Sequence, residues 1–159
     1  MIRKLASGEY RLYSRKKNPN MSASHAPGYS GKPLSAKIGL KDGQRVSLIG
    51  APEDVRQSLE AAGHSIDWTR FPATALDCIL LFAPDQRALE AGFASAAAAL
   101  VPAGMLWVAW PKKASGVRTD LTEDRVRAHG LAVGLVDVKV CAVSEVWGGL
   151  KFVRRIKDR

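Results

Sequence analysis

Cysteine is scarce in this chain of 159 residues, which has only Cys78 and Cys141. Each lies inside an apolar run, the setting of a buried reduced thiol. There is no CxxC and no Cys/His cluster, and His25, His64 and His129 are far apart, so no metal-ligand spacing is legible. Aromatic residues make up 7% of the chain. No Ser/His/Asp or Cys/His arrangement stands out, and no pair of carboxylates has suggestive spacing, so the residues alone define no reaction. An apolar h-region is missing near the N-terminus, which argues against a secretory signal. One charge-free run, 91–110, has the length of a membrane span. Pro102 and Gly104 interrupt it, and it reads better as helix, short loop and buried strand. A cytoplasmic protein is the expectation.

Net charge is abundant but unevenly placed. The formal charge is +9, and residues 21–150 carry thirteen charges of each sign. The excess lies in residues 1–20 (six Lys/Arg, one acid) and 151–159 (five Lys/Arg, one acid). Basic ends of this kind bind phosphate backbones non-specifically or are simply solvated. With a neutral body between them, nucleic acid is not the expected partner.

Residues 1–20 are polar and basic, with Tyr10, Leu12 and Tyr13 among the charges, and read as an extension that need not belong to the domain. Their KLASGEYRLYSRK pattern resembles the opening of a group of small basic bacterial proteins. Residues 21–44 form a Ser/Gly/Pro-rich lead-in ending in a short helix with Leu34 and Ile38, stopped by Gly39. A Rossmann-like domain is expected over 45–155, followed by a basic tail, 156–159.

Within the domain, Arg45–Gly50 reads as a strand running into a sharp turn, and Pro52, Glu53 and Asp54 open a helix that Gly63 stops. Ser65–Thr69 is a short strand and Ala75–Phe82 a buried one. Asp85 caps a helix carrying Leu89, Phe93, Ala96 and Leu100, which Pro102–Gly104 closes. Met105–Trp110 is another buried strand. Asp120 or Thr122 caps a helix carrying Val126, which Gly130 ends. Leu135–Val143 and Gly149–Arg154 form an antiparallel hairpin across Ser144–Trp147. The fold class is therefore α/β, a three-layer Rossmann-like, mostly parallel sheet with a C-terminal antiparallel hairpin.

From Asp77 onward this layout resembles the second half of a class I methyltransferase. The matching features are the strand beginning at Asp77, Val101-Pro-Ala-Gly-Met-Leu-Trp107 before the next strand, and the closing hairpin. The segments GYSGKPL (28–34), LWVAWPKKASGVRTDLTED (106–124) and GLVDVKVCAVSEVWGGLKFVRR (134–155) also resemble an uncharacterised bacterial family, the domain of unknown function numbered three thousand and fifty-two. That resemblance covers residues 21–159 and implies no assigned activity.

Ligands of open α/β sheets bind beyond the carboxyl ends of the strands. That places Gly50–Glu53, Ala83–Asp85 and Trp110–Ser115 on one edge. The site candidates are Gly50, Ala51, Pro52, Glu53, Trp110, Lys112, Lys113, Ser115 and Trp147. The methyltransferase resemblance implies a glycine-rich turn for S-adenosylmethionine and an acid after the second strand for its ribose. Here the turn has one glycine and then Pro52, and Asp67 lies inside the second strand. Lys112 and Lys113 suit an anionic small molecule or an acidic protein partner, or form a solvated loop. Trp107 reads as core, Trp110 and Trp147 as stacking candidates, and Lys139 as pointing outward or to the sheet edge. The leading expectation is a non-catalytic binding or regulatory module on a degenerate methyltransferase-like fold. The alternatives are an S-adenosylmethionine-dependent methyltransferase with an atypical glycine loop, and non-specific nucleic-acid binding through the basic ends.

Overall fold

A computed structural model describes residues 33–159. The expected basic extension and most of the lead-in lie outside the described residues. Six strands form one sheet: β1 (Arg45–Ile49), β2 (Asp67–Trp68), β3 (Leu76–Phe82), β4 (Leu100–Pro111), β5 (Leu135–Ala142) and β6 (Trp147–Arg154), in the order β2-β1-β3-β4-β6-β5. The pairs β1–β2, β1–β3 and β3–β4 are parallel, and β6 runs antiparallel to both β4 and β5. The helices are α1 (Leu34–Ile38), α2 (Glu53–Glu60), α3 (Gln86–Ala98) and α4 (Glu123–Val133). This is the α/β, mostly parallel sheet with a terminal antiparallel hairpin that the alternation of elements implied.

The sheet separates two apolar cores. One packs Ile79, Leu81, Leu106, Val108 and Trp110 against Leu89 and Phe93 of α3 and Val126 of α4. The other packs Leu80, Phe82, Trp107 and Ala109 with Ile38 of α1 and Val55 and Leu59 of α2. A strand covered on both faces has no polar side, which explains the unbroken apolar run of β3. β1 passes to β2 through α2, but β2 reaches β3 through residues 69–75 without a helix. Phe71 and Ala73 of that connection pack on the α3 side.

Several boundaries differ from the sequence reading. The 91–110 run divides into α3 and β4, and no described helix is long and apolar enough to cross a membrane. β4 begins at Leu100 and continues through Pro102 and Gly104, because Leu100 already pairs with Leu76 and a register shift absorbs the irregular residues. α4 runs through Gly130 to Val133 and ends at Gly134, which has φ +107. Gly130 is a packing residue: a Cβ there would lie 2.6 Å from Phe152 Cδ1 and Cζ. Thr122 caps α4 by accepting from Arg125 N, whereas Asp120 serves α3. β2 is shorter than Ser65–Thr69, although Thr69 N still donates to Val46 O.

Candidate functional site

The connections leaving β1 and β3 pass on opposite faces of the sheet, through α2 and α3 respectively. Adjacent strands of this kind leave a crevice at their carboxyl ends. Gly50 stands at that point with φ +71, and a Cβ there would lie 3.2 Å from Phe82 O. Both facts favour glycine: the conformation is left-handed, and the turn is pressed against the end of β3. Ala51 and Pro52 are half-buried and Glu53 is exposed. Pro52 takes the N-cap position of α2 without a side-chain bond, and Glu53 and Asp54 fill the first turn. Their carboxylates complement the positive helix end and repel an added anion.

Beyond β3, Asp85 accepts from Ala88 N at 2.9 Å and Asp120 from Gln86 N at 2.8 Å. Thr119 Oγ1 donates to Pro84 O at 2.7 Å. The loop after β4 is thus strapped across the loop after β3, and two carboxylates occupy the start of α3. The sequence offers Asp120 or Thr122 as the cap of α4, because capping signals are read locally; the structure gives that role to Thr122.

The candidates after β4 separate onto the two faces. Trp110 is 6% exposed and packs in the α3–α4 core. It is a core residue, not an open stacking surface, because its place in the strand turns it inward. Trp147 is half-buried on the opposite face, where its ring meets Phe82 edge-to-face with centroids 5.2 Å apart. The pair ends beside Gly50, since the virtual Gly50 Cβ is also 3.8 Å from Phe82 Cβ. Lys112 is half-buried, and Lys113 is exposed in a short 3-10 turn, Lys113–Ser115. Lys112 N donates to Val146 O at 2.7 Å, and Ser115 Oγ donates to Lys112 O at 2.6 Å. Burial lowers the Lys112 pKa, while Glu145 pulls it back upward. Lys139 donates to Lys37 O at 3.0 Å, so it turns toward α1.

Asp67 opens β2 opposite Arg45, the first residue of β1, and pairs with it at 3.4 Å. It therefore lies at the amino edge, away from the crevice. After β2, at the carboxyl edge, stands exposed Arg70. Neither Arg70 nor Phe82 carried a sequence signal, because both acquire meaning only once strand order is known. Among the described residues no three His, Cys, Asp or Glu side chains converge as a metal site.

No family model and no curated protein matches the sequence. Solved structures do match. An S-adenosylmethionine-dependent methyltransferase from Aquifex aeolicus aligns with 75% of this chain and 86% of its own, at TM-score 0.53 and 14% identity. The fold is methyltransferase-like. Burkholderia thailandensis 1,6-didemethyltoxoflavin-N1-methyltransferase, solved with S-adenosylhomocysteine, aligns with 76% of this chain and 74% of its own (TM-score 0.50, 15% identity). The pyocyanin biosynthetic protein PhzM reaches TM-score 0.55 at 11% identity over 77% of this chain, which spans 54% of that larger protein. At these identities the methyltransferase-like likeness is one of architecture.

Proposed function

We propose that the protein binds S-adenosylmethionine in the crevice between β1 and β3 and acts as a methyltransferase. The observation that carries this reading is Gly50, held left-handed against Phe82 O at the switch point of the sheet. A glycine there lets the chain turn tightly between β1 and α2, at the strand ends where open α/β sheets take their ligands. The cofactor supplies an electrophilic methyl group when bound. Of the chain's own residues, Gly50 and Ala51 would form the floor, and half-buried Trp147, backed by the buried Phe82 ring, an aromatic wall that limits water. Glu53 and Asp54 give that end a negative field suited to a cationic sulfonium.

A second reading, a non-catalytic binding or regulatory module on the same fold, is favoured by Pro52 and Arg70. Pro52 removes a backbone donor from the turn. Arg70 places a cation after β2, where the resemblance implied a ribose-binding acid. In this reading the edge holds an anionic small molecule or an acidic protein partner.

Calorimetric and thermal-shift titration of the full chain with S-adenosylmethionine and S-adenosylhomocysteine separates the two readings. Ligand at about 100 times its Kd adds roughly 2.7 kcal/mol and shifts the melting temperature by several degrees. A saturable shift that Gly50→Val abolishes, in a variant still cooperatively folded, supports the methyltransferase. No shift at millimolar cofactor leaves the binding module.

A further inference from the structure

We infer that Lys112 is the anchor for an oxyanion group, carboxylate or phosphate, of a small-molecule ligand bound at the rim formed by β4 and β6. The inference goes beyond the cofactor reading, and it rests on that reading only for identifying this ligand with the methyl acceptor.

Three observations carry it. The first is position: Lys112 follows β4 at the carboxyl edge, where open α/β sheets take their ligands. The second is construction. Both backbone polar groups of Lys112 are tied down, the N–H to Val146 O and the carbonyl to Ser115 N and Oγ. Its stem lies over Gly148, where a Cβ would stand 3.2 Å from Lys112 Cγ and 3.6 Å from Trp110 Cζ2. A glycine at that place in β6 makes room for this one side chain. Lys113, Arg70 and Arg118, by contrast, are exposed.

The third observation is electrostatic. Among the described residues the Lys112 ammonium has no carboxylate within ion-pair distance, and Glu145 acts on it only from farther away. Lys37 and Lys139 are within electrostatic reach of one another, and Lys112 adds to the same field at Lys37. A half-buried cation gains when an anion arrives, because the pair offsets part of what desolvation removed. The start of α3 cannot compete for that anion, since Asp85 and Asp120 already occupy it.

The test is an amide NMR titration of the full chain with inorganic phosphate and with acetate, at constant ionic strength set by chloride. Saturating shifts confined to residues 112–116 and 146–148 are expected. Lys112→Met should weaken binding at least tenfold, Lys112→Arg should retain it, and Lys113→Met should leave it unchanged. Gly148→Ala, which pushes on the Lys112 stem, should weaken it severalfold. Saturation by both anions supports a carboxylate or phosphate ligand, and saturation by phosphate alone narrows the class. Shifts spread over all cationic surfaces, an unaffected Lys112→Met variant, or binding of polymeric nucleic acid alone would overturn the assignment. Cofactor binding is read separately at residues 50–53, so silence there removes the methyltransferase and leaves the anion site standing.

Discussion

The indole N–H of Trp107 donates to Ile38 O at 3.0 Å, joining the centre of β4 to the last residue of α1. Trp107 is 1% exposed and Ile38 fully buried. This single bond satisfies a carbonyl at a helix end that water cannot reach. Lys37 Nζ donates to Ala142 O and Lys139 Nζ to Lys37 O, so α1 is held to both β4 and β5. Trp107→Phe keeps an aromatic ring but leaves Ile38 O unpaired and opens a small void. A loss of about 2–4 kcal/mol in urea unfolding is expected. A change below about 0.5 kcal/mol would mean that another donor replaces the indole.

Gly130 tests packing against propensity. In an exposed helix interior Gly→Ala gains about 1 kcal/mol. At Gly130 the new methyl would lie 2.6 Å from two Phe152 ring carbons, and Phe152 is itself fenced by Phe93 at 5.4 Å between centroids. Gly130→Ala should therefore destabilise by about 1–3 kcal/mol despite the better helix former. Denaturant melts of the two proteins give the sign directly.

The residues that read correctly are those whose signal is local. Gly39 and the capping residues Asp85 and Thr122 act within a few positions of themselves. The apolar run of β3 identifies a strand because burial on two faces leaves no polar position. What was misread depends on partners distant in sequence. Gly130 looks like a stop until Phe152 is seen beneath it, and Asp120 looks like a cap for α4 until Gln86 is seen across the edge. The same holds for the candidate site. Strand order alone brings Phe82 beside Trp147 and turns Trp110 into the core. The glycine that seats Lys112 is visible in the sequence as Gly148-Gly149, but its purpose is not.

Ser47 carries a hydroxyl in β1 that is fully buried and, among the described residues, has no hydrogen-bond partner. Its neighbour in register is Ile79 on β3. An unsatisfied buried polar group costs about 1–3 kcal/mol, and removing it restores part of that. Ser47→Ala should be neutral to stabilising, by up to about 1 kcal/mol. A clear loss of stability would show that the hydroxyl has a partner in solution, such as an ordered water.

Alkaline pH gives the last prediction. Cys141 belongs to a half-buried residue whose thiol is enclosed, and burial raises its pKa from 9.0 to about 11, against the pull of Lys37 and Lys139. Burial pushes the Cys78 thiol up as well. A thiol that stays protonated in the folded chain while ionising in the unfolded one stabilises fully below pH 9. That contribution is lost as pH rises from 9 toward 11, because there the unfolded state binds fewer protons. For Cys141 the loss approaches about 2 kcal/mol at the upper end. Lys37 and Lys112, whose pKa values burial lowers, act in the opposite sense, since the unfolded chain holds their protons longer. The difference between the parent protein and Cys141→Ala therefore isolates the thiol. Urea unfolding of both at pH 7.5, 9 and 10.5 should show a gap that narrows with pH. Parallel stability curves would mean that the thiol is open to water.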